Sequence, residues 1–472
     1  MIYLDILTAK KLIAKHTLGH SNVIVNALTA ERYYRNKNDI LYKTKPDDET
    51  ENPLRSADNR VPRNFYGLLV NQKASYMFTA PPLFDVGNSS NNQVIADTLG
   101  DIYAKNCKDL CVNASNAGMA WIHYWMNENN EFEYGIVDSK QIIPIWSTHL
   151  KKELLAVLRV YKNIDDEGKT WDIYEYWTDT ECWAYQKAAE DTIDTGLIAY
   201  SLFMNFVDAG VGEEPNQLKH SLGRVPFIPF PNNNIAVSDL DNVKALVNTY
   251  DKVYSGFAND LEDIQEIIFL LTNYDGTDLN SFLSDIKKYK TVKMQSTGAD
   301  DRSGLETVTI DIPIEAREKL LDMTRKGIFE QGQGVDPQPQ DFGNASGVAL
   351  KYLYSLLELK AGLMETEFRL GFGDLVRAIC QAKNIAVTNI TQTWTRTSIA
   401  NDLELATICK DSVGIISSKT IIKNHPFVEN ADEEEKQLAK EKEDQLSEMD
   451  NYKQTFGNKD SSSKGGDVNA KR

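Results

Sequence analysis

Apolar and polar positions change their period several times along the chain, and the changes divide it into parts. Residues 1–45 carry helical spacing, with Ile6, Ile13 and Leu18 leading to Val23, Val25 and the polar-aromatic cluster ERYYRNKNDI. Pro46, Pro53 and Pro62, set among Asp and Asn residues in PDDETENPLRSADNRVPRN, break that period and predict a loop. From Phe65 the string FYGLLVNQKASYMFTAPP places Leu68, Leu69, Lys73, Tyr76 and Met77 on helical spacing and is stopped by Pro81 and Pro82. A second helix is predicted over 92–119. Between 120 and 230 the period shortens to two. WIHYWMN, EFEYGIVD, LLAVLRVYKN, TWDIYEYWT and ECWAYQ alternate β-branched and aromatic residues between the turn strings NENN, DDEG and TDT. That is the pattern of an antiparallel meander whose aromatics serve sheet packing rather than a ligand cage. The prolines of GRVPFIPFPNNN should end this module, because clustered prolines do not continue a ladder.

The strongest helical signal runs from Ser238, a good N-cap, to Asn273, with apolar residues from Leu240 to Leu271 at three- and four-residue steps. One helix of that length would extend about 50 Å, which suggests an assembly element. Residues 274–313 then predict a small αββ insert: the turn-rich TDLNSFLSDIKKYK, a strand at TVKMQ and a strand at LETVTIDI. Pro313 opens a further helix, IEAREKLLDMTRKGIFEQG, where its missing N–H is not needed. Gly332, Gly334, Pro337, Pro339 and Gly343 exclude a helix through GQGVDPQPQDFGNA. A long helix restarts at Ser346 and a short strand follows in AVTNITQTWTR. Short helices from Asn401 end in ADEEEKQLAKEKEDQLSEMD, a solvated acidic face, and the Ser-, Gly- and Lys-rich residues after Phe456 should be disordered. The fold class is α+β and predominantly helical.

Composition narrows the function more by exclusion. With 42% apolar and 25% charged residues in 472, the chain is neither a disordered polymer nor a rod. Its densest apolar run, Ile267 to Leu271, is far too short to cross a bilayer, so no membrane association is expected. Asp5, Lys10 and Lys11 interrupt the N-terminal apolar residues, so synthesis in a cytoplasm without a secretory signal is expected. Cys107, Cys111, Cys182, Cys380 and Cys409 are too sparse for a disulfide framework, and the i, i+4 pair Cys107/Cys111 reads as buried thiols. A net charge of −18 argues against a protein that grips nucleic acid by neutralising phosphates, though not against a surface past which it slides. GxxxxGK[ST], HExxH and GxSxG are missing. Asp341-Phe342-Gly343 has no catalytic loop to accompany it, Gly371-Phe372-Gly373 lies inside a helical pattern, and the histidines share no ligand spacing. No enzyme, metal or cofactor is expected.

The order of parts, together with ERYYRNKNDI, NRVPRNFYGLLVNQKASYMFTAPP, the helix–insert–helix unit 238–332 and NASGVALKYLYSLLELKA, resembles the portal proteins, or head-to-tail connectors, of long-tailed bacteriophages. The resemblance covers roughly Ile24 to Glu448, and the stretch SGVALK beginning at Ser346 is its most family-like piece. It implies a portal fold of wing, stem, clip and crown, assembled as a ring, usually of twelve subunits, at one capsid vertex. By analogy the wing is 1–235, a long helix 236–273 enters the stem, and the clip is 274–313. The second stem helix is 314–332, the tunnel loop 333–345, a long wing helix with its strand 346–400, the crown 401–450 and a disordered tail 451–472.

The implied partners are further copies of the chain, the terminase large subunit, a head–tail adaptor, and the major capsid and scaffolding proteins. Double-stranded DNA would pass through without sequence specificity. The implied location is the virion, after synthesis in the bacterial host cytoplasm. The loop residues Val335, Asp336, Pro337, Gln338, Pro339, Gln340 and Asp341 include no Lys or Arg, so the loop can touch DNA sterically without an ionic latch; it can also be a plain helix–helix connector. Lys287, Lys288, Lys290 and Lys293 form the densest basic cluster of the middle region, facing DNA at the tunnel exit, an acidic motor partner, or solvent. Motor and adaptor docking at this insert is the expectation. The rival readings are a nuclease-like DNA-acting head-morphogenesis enzyme and another virion structural protein.

Overall fold

A computed structural model of the chain describes residues 4–42, 57–201, 210–211, 216–263, 268–272, 304–308, 313–337, 352, 354–396, 402–428 and 431–456. It divides into two compact units: Met1–Pro337 with Ser355–Thr397, and Gln338–Tyr354 with Ser398–Arg472.

In the first unit, helices Ile6–Thr17, His20–Tyr34 and Phe65–Met77 begin where a side chain or a turn supplies the first cap. Asp5 accepts from the amide of Thr8 at 2.6 Å, and Asn64 from that of Gly67 at 3.1 Å. The helix expected over 92–119 is instead two, Ser89–Leu99 and Tyr103–Ala117. Gly100 separates them, with φ 69, in the left-handed region where glycine stops a helix at little cost.

The expected single meander also divides. Ile142–Trp146, Leu154–Ile164, Thr170–Trp177, Glu181–Ala188 and Gln217–Lys219 are successive antiparallel neighbours in one sheet. Met119–Met126 and Phe132–Val137 belong to another, in which the third strand is Phe227–Pro231. The proline-rich segment thus extends a ladder that it was expected to end. The physical reason is position: Phe227–Pro231 is an edge strand, where Pro229 and Pro231 need not donate outward.

The long helix Ser355–Ala382 lies against this edge. Phe230 packs between Phe368 and Phe372, with ring centroids 5.2 and 5.0 Å away. A Cβ on Gly371 would come within 2.7 Å of the Phe230 ring, so the Gly-Phe-Gly string is a close-packing device. His123 is a core histidine, stacked on Phe227 with centroids 4.3 Å apart. Burial pushes its imidazole down to about 3, and so leaves it neutral. Cys107 and Cys111 are buried thiols, pushed up by burial to about 12 and about 11.

The helix expected from Ser238 to Asn273 runs only from Lys244 to Asp263, 20 residues or about 30 Å. Ser238 caps a preceding turn: its hydroxyl accepts from the Leu240 amide at 3.1 Å and donates to the Ser115 carbonyl at 3.0 Å. At the other end Ile268–Thr272 is a strand, antiparallel to Gly304–Val308 with Ile268 opposite Val308. Ile, Phe and Leu satisfied the helical spacing, yet the same residue types suit a strand once a partner is available. The expected strand TVKMQ lies outside the described residues.

Asp251, Ser255 and Asn259, one turn apart along the 244–263 helix, accept the amides of Arg63, Val61 and Asn59 at 2.9, 3.1 and 2.6 Å. Four helical residues rise about 6 Å and two extended residues about 6.6 Å, so the two repeats match over this length. The extended stretch before Phe65 is held by a helix instead of a sheet.

The second unit contains helices Asp402–Asp411, Ser418–Lys423 and Ala431–Phe456. The last is 26 residues long, not short, and it continues through 451–456, where a disordered tail was expected. Lys419 pairs with Glu435 at 3.3 Å. No helix among the described residues is long and apolar enough to cross a membrane.

Candidate functional site

The segment singled out by the sequence, 333–345, leaves the end of the Ile314–Gly332 helix, and its surroundings are built from several distant parts of the chain. That helix runs antiparallel to 244–263: Arg317 pairs with Asp260 near one end, and Gly327 faces Leu246 near the other. Leu240, Val243, Val247, Ile328 and Phe329 bury the pair against Phe65, Tyr66 and Leu69 of the 65–77 helix.

Two amide bonds close the 314–332 helix: Gln333 donates to the Glu330 carbonyl at 3.3 Å and Gly334 to that of Phe329 at 3.0 Å. This is a Schellman ending, and its left-handed residue is Gln333, with φ 53. The neighbouring glycines therefore do not supply the left-handed residue of this ending. A Cβ on Gly332 would lie 2.5 Å from Leu69 Cδ1, and one on Gly334 would lie 2.2 Å from Leu69 Cδ2. Close approach to the 65–77 helix is what excludes a side chain.

The next residues are fastened. Gln72 donates from Nε2 to the Val335 carbonyl at 2.7 Å and accepts the Val335 amide at 3.1 Å. Arg325 holds the Asp336 carboxylate with two bonds, Nε to Oδ2 at 2.8 Å and Nη2 to Oδ1 at 2.6 Å. Its guanidinium lies over Phe65 and Phe329, 5.7 and 5.4 Å from their centroids. Val335 and Asp336 are thus tied to the helices 65–77 and 314–332, and Pro337 is exposed. Gln338, Pro339, Gln340 and Asp341 lie outside the described residues, as do Lys287, Lys288, Lys290 and Lys293.

Beneath this junction is a buried charged cluster. Lys73, 1% exposed, donates to Asn232 Oδ1 at 2.7 Å and to Asp239 Oδ2 at 2.5 Å. The same Asp239 oxygen is 3.2 Å from Lys360 Nζ, which also donates to the Gly332 carbonyl at 2.8 Å. Burial pushes the Asp239 carboxyl up, but Lys360 and Lys73 outweigh it and hold it below the ordinary carboxylate range. Lys73 had a visible signal, a lysine at an apolar position of a helical face. Gln72, Asp239, Arg325 and Lys360 had none, because their partners are remote in sequence.

Elsewhere, an open cleft of about 360 Å³ is rimmed by Glu31, Asp138 and Lys140, and these charges pair with one another. Among the described residues no group of His, Cys, Asp and Glu is arranged to hold a metal ion.

The family model described as phage portal protein, SPP1 Gp6-like, matches residues 14–448. A portal protein of Clostridium phage phiCD119 is 42% identical over 442 residues, covering 90% of this chain and 94% of that one. The portal protein of Bacillus phage SPP1 is 30% identical over 458 residues, covering 91% of this chain and 85% of its own. A solved chain from the virion of a native gene transfer agent particle superposes with TM-score 0.42 at 11% identity, over 75% of this chain and 88% of that one; a likeness that loose carries no inference. By the family match across most of its length and by its relatives at 42% and 30% identity, the chain belongs to the phage portal proteins of the SPP1 type.

Proposed function

We propose that this chain forms the ring-shaped channel at one capsid vertex through which double-stranded DNA is packaged, retained and released. The observation that carries the reading is family membership, with 42% identity to a phage portal protein over 442 residues. The single chain also leaves apolar surface that a ring would cover. On the 355–382 helix, Leu357, Ala361, Met364, Phe368 and Leu375 are buried on one side. Leu359, Leu363 and Leu370, 58%, 59% and 67% exposed, lie on the opposite side at steps of four and seven. We assign this stripe to subunit contacts.

In this reading the segment 333–345 meets DNA by steric and weakly polar contact, consistent with the chain's net charge of −18 and with a segment free of Lys and Arg. The protein supplies no catalysis of its own, the motor being a separate terminase. The insert 274–313 is its docking surface, used by the head–tail adaptor after packaging. Twelve subunits is the stoichiometry the reading takes. Native mass spectrometry of the purified protein tests the assembly: a closed ring supports it, and a stable monomer at micromolar concentration overturns it. Arginine at both Gln338 and Gln340 tests the conduit. Rings and procapsids should form while packaging slows, and the defect should ease as salt rises.

A further inference from the structure

We propose that Lys360 is a positioning residue that latches the junction between the 314–332 helix and the segment 333–337. It does so by completing, through the Gly332 carbonyl, a buried charge cluster that Asp239 alone leaves unbalanced.

The argument begins with charge. Lys73 and Lys360 share a single carboxylate, and the side chains of Lys73, Asp239 and Lys360 are 1%, 9% and 10% exposed. One aspartate cannot neutralise two ammonium groups. A buried charge without compensation is strongly destabilising. Asn232 is an oxygen acceptor for Lys73 but brings no charge, and its amide already donates to Asp239 Oδ1 at 2.9 Å. The remaining negative potential comes from the helix end. Gly332 is the last residue of the 314–332 helix, its carbonyl is among those that lack an intrahelical partner, and a helix C-terminus acts as roughly half a negative charge. Lys360 Nζ donates into it at 2.8 Å. Burial depresses the Lys360 ammonium, Asp239 opposes that effect and Lys73 adds to it, so its charge depends on the Asp239 carboxylate staying in place.

The consequence is mechanical. Moving the helix end off Lys360 would leave its buried ammonium only the Asp239 oxygen that Lys73 already uses, so Gly332 is held more firmly than a single neutral hydrogen bond would hold it. Gln333 and Gly334 hang from the same helix turn through their bonds to Glu330 and Phe329, and Val335 and Asp336 are fastened next by Gln72 and Arg325. Lys360 sits on the 355–382 helix, which re-enters this unit after 338–354. The latch therefore ties the strand of chain leaving the unit to the helix on which it returns. The functional consequence rests on reading 333–345 as the segment that meets DNA: its first four residues, 333–336, would be held in place.

The test compares backbone hydrogen exchange in assembled full-length protein for wild type, Lys360→Met, Lys360→Gln and Lys73→Met. The Lys360 variants should exchange at Gly334 and Val335 at least tenfold faster than wild type, with Lys360→Gln, which keeps an amide donor, intermediate. Lys73→Met removes a cation from the same carboxylate without touching Gly332, so it should lower the denaturation midpoint yet leave the Gly334 and Val335 rates within about twofold. Unchanged rates in both Lys360 variants, or equal acceleration by Lys73→Met, overturn the latch. If Lys360→Met does not assemble, Lys360→Gln decides by the same criterion. Faster exchange with unaltered DNA packaging upholds the latch and overturns the assignment of 333–345 to the DNA path.

Discussion

Gln333 and Gly334 show how differently two adjacent residues can be constrained. Gln333 occupies the left-handed conformation with φ 53, which costs a non-glycine residue roughly 1–2 kcal/mol. Gln333→Gly should therefore stabilise the protein by up to about 1 kcal/mol, after the added entropy of the unfolded chain is deducted. Gly334→Ala should destabilise by about 1–3 kcal/mol, because its Cβ would lie 2.2 Å from Leu69 and 2.9 Å from Gln72 Oε1. Denaturant unfolding of both variants checks the pair, and opposite signs are the expected outcome. Asp251 gives a pH-dependent case. Burial, against the bonds from Asn38 and the Arg63 amide, pushes its carboxyl up to about 6 from an ordinary 3.8. The folded chain then binds this proton more tightly than the unfolded chain, so the group's contribution to stability grows as pH falls through about 6 and is lost as pH rises through it. Relative to Asp251→Asn, wild type should gain stability between pH 7 and pH 5, by no more than about 1.4 kcal/mol per pH unit. A difference that stays flat across that window would place the carboxylate fully charged in the fold.

The 244–263 helix works as an edge for the extended residues 59–63. Its side-chain acceptors at 251, 255 and 259 take every second amide, a role that a neighbouring strand plays in a sheet. Ser255→Ala leaves the Val61 amide without its acceptor, and the cost should be about 1 kcal/mol or somewhat more. The informative readout is local: exchange at Val61 should accelerate while the amides of the 314–332 helix keep their rates. Loss of the whole helix pair instead would mean that the ladder supports the fold rather than only the segment lying on it.

At the scale of the proposed ring, the apolar stripe at Leu359, Leu363 and Leu370 and the basic sequence cluster Lys287, Lys288, Lys290 and Lys293 have separate consequences. Leu363→Asp should leave the subunit folded, since Leu363 is 59% exposed, while shifting native mass spectra from ring to smaller species. Intact rings from this variant would remove the stripe from the subunit interface. Alanine at Lys287, Lys288, Lys290 and Lys293 should spare the ring and weaken motor binding, with the larger loss at low salt, because screening shortens the reach of such charges. Binding that is indifferent to both substitution and salt would leave these lysines merely solvated.

Much of this protein was legible from local chemistry. Pro313 before IEAREKLL, the helical spacing of FYGLLVNQKASYM and the period-two runs from 120 to 188 each announce an element through the residues they themselves contain, because helix starts and strand alternation are short-range properties. Their order, together with strings such as ERYYRNKNDI and NASGVALKYLYSLLELKA, pointed to the portal family. Where partners are remote, the pattern was ambiguous or silent. Ile268–Thr272 fits a helical period and became a strand because Gly304–Val308 pairs with it. Pro229 and Pro231 looked like a terminus and became an edge, since only the neighbouring Met119–Met126 strand says on which side a ladder continues. The charged cluster under Gly332 is the extreme case: Lys73 stands out as a lysine on an apolar helical face, but Asp239 and Lys360 are ordinary charged residues in the sequence. Their meaning arises when the fold removes water and brings two cations to one carboxylate and one helix end, a condition that no spacing along the chain encodes.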